Sequence, residues 1–357
     1  MKRSKNVHTI DQMWSLYIGP ILISMAFAVG LFACGDSQEH DQGGEPLVED
    51  DGPPCPEASW LNFSIVSVGT RLEIEIPNGM RIHTAIIPGL QDFPPAELSE
   101  ESALIFESEG TQSVFVVTDA DGCSATVTRR VVEVVQTFPT DHGVDRDDPR
   151  IQKWASSWQT PIEYGEAVTE MWQTPERAMG PASGQPTDIV SLGAGGRIEL
   201  FFDGEIFNGE GPDFAVFENS FSPTFLEIAV VEVSSDGVHF AAFPTIYLGT
   251  AAIDPYGDHE PGIMYGFAGR FPAGVGTPFD LEDLRSASDV LSGLVNLERI
   301  TSIRLTDIVG DGSTLDSLGN PIYDPYPTAG SAGFDLDAVG VMHIDDNEQV
   351  TQAEQPE

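Results

Sequence analysis

The sequence predicts an all-β protein made of two successive sandwiches. Three observations carry that prediction. Apolar and polar residues alternate in short runs along most of the chain, 36 glycines and 26 prolines supply turns between the runs, and no long stretch shows the three-to-four-residue period of an amphipathic helix. The runs fall into two groups. Arg71-Leu-Glu-Ile-Glu-Ile76, Thr84-Ala-Ile-Ile87, Ser113-Val-Phe-Val-Val-Thr118 and Ala125 to Val135 predict half-buried strands of a small sandwich over residues 54–137. A linker, Gln136 to Pro149, follows. Asp213-Phe-Ala-Val-Phe-Glu-Asn219, Leu226 to Ser234, Ile300 to Asp307 and Gly333 to Met342 then predict a larger sandwich over 138–345. Between two of these strands, Ser234-Ser-Asp-Gly-Val-His-Phe240 has the composition of a hairpin turn.

The segment before the first sandwich has a different logic. Lys2, Arg3 and Lys5 precede an apolar run from Leu16 to Ala33 that is long enough for either a retained membrane helix or a secretory signal. Leu31-Phe-Ala-Cys34 resembles the bacterial lipobox, and that resemblance decides for a cleaved signal peptide, residues 1–33, with Cys34 as the lipidated first residue. The resemblance implies stable membrane attachment through several acyl chains. Gly35 in place of an aspartate favours the outer membrane, at the cell surface. Residues 34–53, rich in Gly, Pro, Asp and Glu, read as an acidic flexible tether, and 346–357 as a disordered acidic tail.

Charge narrows the partners. The chain carries 16 basic and 57 acidic residues, a net charge of −41. Loss of residues 1–33 removes Lys2, Arg3, Lys5 and Asp11, leaving 13 against 56, or −43. Nucleic acid and anionic lipid faces are excluded as partners on that balance. Of the three cysteines, lipidation of Cys34 leaves Cys55 and Cys123, an even pair that reads as one disulfide in an exported protein.

Two further resemblances sit on particular residues. Val116-Val-Thr-Asp-Ala-Asp-Gly-Cys-Ser-Ala-Thr-Val-Thr128 resembles the closing hairpin of PKD-like and related immunoglobulin-like repeats of bacterial surface proteins, in which Asp119 and Asp121 shape the turn. Such domains imply a spacer. In the second region, Ser191-Leu-Gly-Ala-Gly-Gly-Arg-Ile198, Asp213 to Asn219, Val231 to Phe240, Asp316 to Thr328 and Gly333 to Val341 together resemble a family of bacterial cell-surface proteins. The Val-Ser-Ser-Asp-Gly hairpin and the final strand are also similar to discoidin-like and galactose-binding-like jelly rolls of carbohydrate-binding modules. These likenesses imply an immunoglobulin-like sandwich followed by a larger jelly-roll β-sandwich that binds a glycan, another small ligand or an adhesion partner, such as a ligand captured ahead of an outer-membrane transporter.

Candidate site residues follow from chemistry. Asp213, Glu218, Asn219, Asp307, Asp311, Asp335 and Asp337 gather at predicted strand ends, and hard oxygen donors of this kind suit a structural calcium. The alternative is that they cap turns. In Phe334-Asp-Leu-Asp-Ala-Val339 the two aspartates are expected on one strand face, with Phe334, Leu336 and Ala338 on the other. Asn320-Pro-Ile-Tyr-Asp-Pro-Tyr-Pro-Thr328 displays Tyr323 and Tyr326 on a proline-stiffened loop, as a sugar-stacking pair or as ordinary loop packing. Trp154, Trp158 and Trp172 read as core or interface residues. No zinc-protease, nucleophile-elbow, phosphate-loop or paired-cysteine motif occurs, so a non-enzymatic protein is expected, with a carboxylate-dependent hydrolase or a purely structural protein as the alternatives.

Overall fold

The computed structural model describes residues 52–92, 98–220 and 222–345, and their architecture is all-β. Cys34, the signal, the tether up to Asp51 and the 346–357 tail lie outside the described residues. Seven strands form the first sandwich: β1 Ser59–Trp60, β2 Ile65–Ser67, β3 Arg71–Glu75, β4 Arg81–Pro88, β5 Ala103–Ile105, β6 Gly110–Ala120 and β7 Cys123–Val135. One sheet runs β1-β3-β5 and the other β2-β7-β6-β4, with β2 and β7 parallel. Alternation fixes the inward face, as in β3, where Leu72 and Ile74 are buried between exposed Arg71, Glu73 and Glu75. The β6–β7 turn places Gly122 at φ 97°, and Asp119 pairs with Arg81 at 2.6 Å. A disulfide joins Cys55 to Cys123, 68 residues apart.

The second region adds β8 Val144–Asp145, β9 Lys153–Trp154, β10 Ser157–Trp158, β11 Val190–Ser191, β12 Arg197–Ile206, β13 Phe214–Glu218, β14 Ala229–Ser234, β15 Ala241–Ala242, β16 Ile246–Tyr247, β17 Met264–Tyr265, β18 Val275–Phe279, β19 Ile300–Asp307, β20 Asp311–Leu315, β21 Pro321–Tyr323, β22 Asp335–Val341 and β23 Ile344–Asp345. One main sheet is β10-β12-β19-β14-β15, with β23 also on β12. The other is β11-β22-β13-β18-β8, with β9 also on β22. From β12 onward the long strands alternate between the two sheets (β12, β13, β14, β18, β19, β22), which is the winding of a jelly roll. Ile198, Leu200, Val231, Val233, Ile303 and Leu305 from the first sheet meet Phe214, Val216, Leu336, Val339 and Val341 from the second in one core.

The second sheet is buried on both faces. Along β13, Phe214 and Val216 enter the main core, while Ala215 and Phe217 face outward under Trp154, whose ring lies 5.4 Å from Phe217. β22 departs from the sequence expectation. Phe217 pairs with Ala338 but Glu218 pairs with Leu336, so a bulge at Asp337 resets the alternation. Phe334 and Leu336 face the core as expected, whereas Ala338 packs on the outer face with Phe217 and Met342.

The first sandwich is built into the second rather than strung ahead of it. Its core cluster takes in Ile246 of β16, fully buried, and packs against Leu248, Tyr265 and Leu318. Trp60 N donates to Ser286 O (3.0 Å), Phe138 N to Gly262 O (2.8 Å), and Arg130 pairs with Glu282 (3.0 Å).

Candidate metal centre

Antiparallel pairing brings strand ends together, and at one end of the larger sandwich those ends carry acids. Glu218 closes β13 and Asp335 opens β22, its neighbour. Asp307 closes β19 opposite Ala229, the start of β14, with Glu227 two residues before. Asp324 follows β21. All five are buried, and Leu226, Ile228, Tyr247, Met264, Phe267, Ile308 and Ile322 form an apolar cap beside them.

Their hydrogen bonds are incomplete. Asp307 is the best held, accepting from Phe334 N (2.6 Å) and Gly195 N (2.8 Å). Gly333 stands against it at φ 68°, where a Cβ would lie 2.7 Å from Asp307 Oδ1, so only glycine serves there. Glu227 Oε1 accepts from Thr328 Oγ1 (3.2 Å), and Asp335 Oδ1 accepts from Ser191 Oγ, its partner across the β11–β22 ladder. Glu218 Oε2, Ser220 Oγ and Asp324 Oδ1 are buried with no hydrogen-bond partner among the described residues. His259 Nδ1 lies 3.3 Å from Asp324 Oδ1, at ion-pair distance but outside hydrogen-bond geometry, beside the Leu226 carbonyl that is also 3.3 Å away. Among the described residues, His259 is the one basic side chain at ion-pair distance from any of the five.

The electrostatic consequence is uniform in direction. Burial first, and then the charges of Asp335 and Asp324, push the Glu218 carboxyl well above the usual range. Glu227 and Asp307 shift the same way for the same causes, and burial raises Asp335. Asp324 is pushed up to about 6 by burial, with His259 pulling against the rise. A group of carboxyls that all resist ionisation must hold protons or share a cation. The donor set, carboxylates with a hydroxyl, has the chemistry that a hard divalent cation takes. Among the described residues, no three His, Cys, Asp or Glu side chains stand close enough to grip an ion as they lie.

Of the seven residues named from sequence, Glu218, Asp307 and Asp335 come together here. Asn219 is adjacent, its backbone N bonded to Asp335 O (3.0 Å) and its side-chain amide to Gln185 O. Asp337 lies within electrostatic reach of Glu218, but its oxygens accept from Ser183 N (2.9 Å) and Gly184 N (2.7 Å). Asp213 is elsewhere. It precedes β13, at the far end from Glu218, and accepts from Gly209 N, Leu281 N and His343 Nδ1, each at 2.7 Å. Asp311 is exposed and caps its own turn through Ser313 N (2.9 Å). Glu227 and Asp324 were not among the sequence candidates. No local pattern marked Glu227: an acid between the core-facing Leu226 and Ile228 reads as the solvent side of a strand, and its burial depends on the segments that cover that end.

Tyr323 is half-buried, packs on the apolar cap and lies across Gly312, where a Cβ would meet its ring at 2.6 Å. Tyr326 is half-buried before a cis peptide bond to Pro327.

No protein-family model matches the chain, and no curated protein matches it. Among solved structures it is similar to a SusE-like protein, at 10% identity over 80% of this chain and 96% of that one, with a TM-score of 0.26. It is also similar to a structure from a study of promiscuous carbohydrate-binding modules of the β-sandwich superfamily, at 10% identity over 82% and 92%, with a TM-score of 0.18. A third similar structure is the secreted serine protease VesC from Vibrio cholerae, at 10% identity over 81% and 52%, with a TM-score of 0.19. Scores this low support no inference about this chain, and the functional reading rests on its own residues.

Proposed function

We propose that the chain is an exported bacterial surface protein, anchored through a lipid on Cys34, whose larger sandwich is a ligand-binding module for a glycan or another small ligand and holds calcium at the buried acid cluster. The observation that carries the metal reading is the burial of Glu218, Glu227, Asp307, Asp324 and Asp335 at one end of the sandwich, with Glu218 Oε2 and Ser220 Oγ unpaired and His259 beside Asp324 as the one basic partner among the described residues. Buried carboxylates without a cationic partner cost several kcal/mol each, and a divalent ion removes that cost for several at once. Glu218, Asp324 and Asp335, with Ser220, are the residues that would hold it once their side chains closed on the ion, since they do not stand close enough as they lie. The role is structural, fixing the loops around Ser220 and Asp324 at one end of the sandwich. At these acids the burial of Glu218 and Asp335, each 2% exposed, favours a structural role over a hydrolytic one.

Calorimetry on the chelator-stripped protein tests the metal. Binding of calcium with a rise in Tm is the expected result, and no heat with no shift overturns it. The anchor is tested by metabolic palmitate labelling, with label on the wild type and none on Cys34→Ser. An unlabelled wild type overturns that part.

A further inference from the structure

Where the two sandwiches meet, a cleft of about 430 Å³ is lined from both sides, by Ser64 and Ile65 of the first and by residues of β17, β18 and the following turn of the second. That is the size of a small-ligand pocket. Its apolar wall is an edge of the main core, where Phe243 and Phe279 are 3% and 4% exposed. Phe243 and Phe279 stand edge to face with ring centres 4.9 Å apart, and Phe214 stacks behind Phe279 at 5.3 Å. Its polar side is a chain of groups that both donate and accept. Ser64 Oγ and the Tyr265 hydroxyl are 2.6 Å apart, and that hydroxyl lies 3.4 Å from Asp283 Oδ2, with Asp280 on the same rim. Burial and then the charge of Asp280 push Asp283 up to about 8, so at neutral pH its carboxyl donates as well as accepts.

Arg270 supplies a second observation. It lines the cleft at 3% exposure, with Nη2 donating to the carbonyls of Pro139 (3.0 Å) and Pro261 (3.2 Å), and its buried Nε has no partner among the described residues. A buried donor without an acceptor is a position that a ligand oxygen or a water satisfies.

We propose that this inter-sandwich cleft is a saccharide site that takes one or two neutral sugar rings. The proposal rests on the reading of the protein as a ligand-binding module and places that activity at the seam instead of at Tyr323 and Tyr326. An aromatic wall meets the C–H face of a sugar, and paired carboxyl, phenol and hydroxyl groups meet its hydroxyls. A wholly apolar ligand would leave the polar rim unpaired. An anionic ligand would face Asp141 and Asp280 against Arg270 alone, because burial lowers His142 and holds the proton on Asp283.

The test is calorimetry and saturation-transfer NMR on the full-length chain with D-glucose, D-galactose, D-mannose, N-acetylglucosamine, maltose and cellobiose, and with D-glucuronate as the anionic comparison. At least one neutral sugar should bind. Asp283→Ala should weaken it by 10-fold or more, Tyr265→Phe should weaken it by a smaller factor, and Ser64→Trp, which fills the mouth from an exposed position, should abolish it while Tm is kept. If none of the neutral sugars binds, both the cleft assignment and the glycan reading fail. If a sugar binds but all three variants bind it as the wild type does, the cleft fails and the module reading stands. Tighter binding of glucuronate than of every neutral sugar overturns the ligand class.

Discussion

Replacing Glu218 with glutamine should change stability in opposite directions depending on calcium. In chelator at pH 7 the buried carboxyl must keep its proton in the folded state. The unfolded chain loses that proton at about pH 4.3, and each pH unit above this costs the fold ~1.4 kcal/mol until the folded pKa is reached. The raised folded pKa therefore contributes stability that is complete below about pH 4 and lost as pH rises. Glutamine has the same shape and no proton to lose. In chelator at pH 7 the variant should therefore be the more stable of the two, by a margin that relaxation and the protons shared with Glu227 and Asp335 reduce. Calcium at 100 times its Kd adds about 2.7 kcal/mol to the wild type. The variant, with one oxygen donor made neutral, should receive much less, so the order of stabilities inverts. Denaturant unfolding of both proteins, in chelator and in millimolar calcium, reads this directly. Equal destabilisation of the variant in both media would refute the reasoning, since that is what loss of ordinary packing produces.

Three further outcomes follow from other parts of the molecule. Asp283→Asn should flatten the pH dependence of stability: Asp280, Glu282, Arg130 and Tyr265 surround this carboxyl, its folded pKa of about 8 lies above the unfolded value, and the wild type should fall relative to the variant at up to ~1.4 kcal/mol per unit between pH 5 and 7. A constant difference across that range would contradict it. Cys55→Ser with Cys123→Ser opens a loop of 68 residues and should cost about 4 kcal/mol by loop-closure entropy, read as a drop in denaturant midpoint at unchanged slope. Ile246→Ala should cost about 3 kcal/mol and make the 136–149 segment sensitive to limited proteolysis, because Ile246 fills the first sandwich's core from the second.

Strands were the most legible layer of this fold. Ile300–Asp307 runs over the residues that alternation marked, and the apolar residues of β13 keep strict parity. The β22 bulge was not legible, since one extra residue in a ladder depends on what the neighbouring strand offers, here Phe217 and Glu218. Part of the site could be read and part could not. Asp213 and Glu218 are close in sequence, yet five residues of strand at about 3.3 Å each set them roughly 16 Å apart. Asp324, between prolines, had every mark of an exposed turn. It is buried because the segment after β19 folds back over the sandwich end, a contact no local pattern encodes. The cleft at the seam was equally hidden, because its two walls come from residues about 200 positions apart, such as Ser64 and Tyr265.

Ile246 also bears on how the molecule can be cut. Surface proteins assembled from beads on slack joints can be trimmed by a single proteolytic nick, and each bead survives alone. Here a truncation that began after Gln136 would strip Ile246, Leu248 and Tyr265 of their cover and leave an apolar scar on the remaining sandwich. The two sandwiches therefore stand or unfold together, and a fragment carrying only the larger one is a poor reagent for measuring what the whole protein binds.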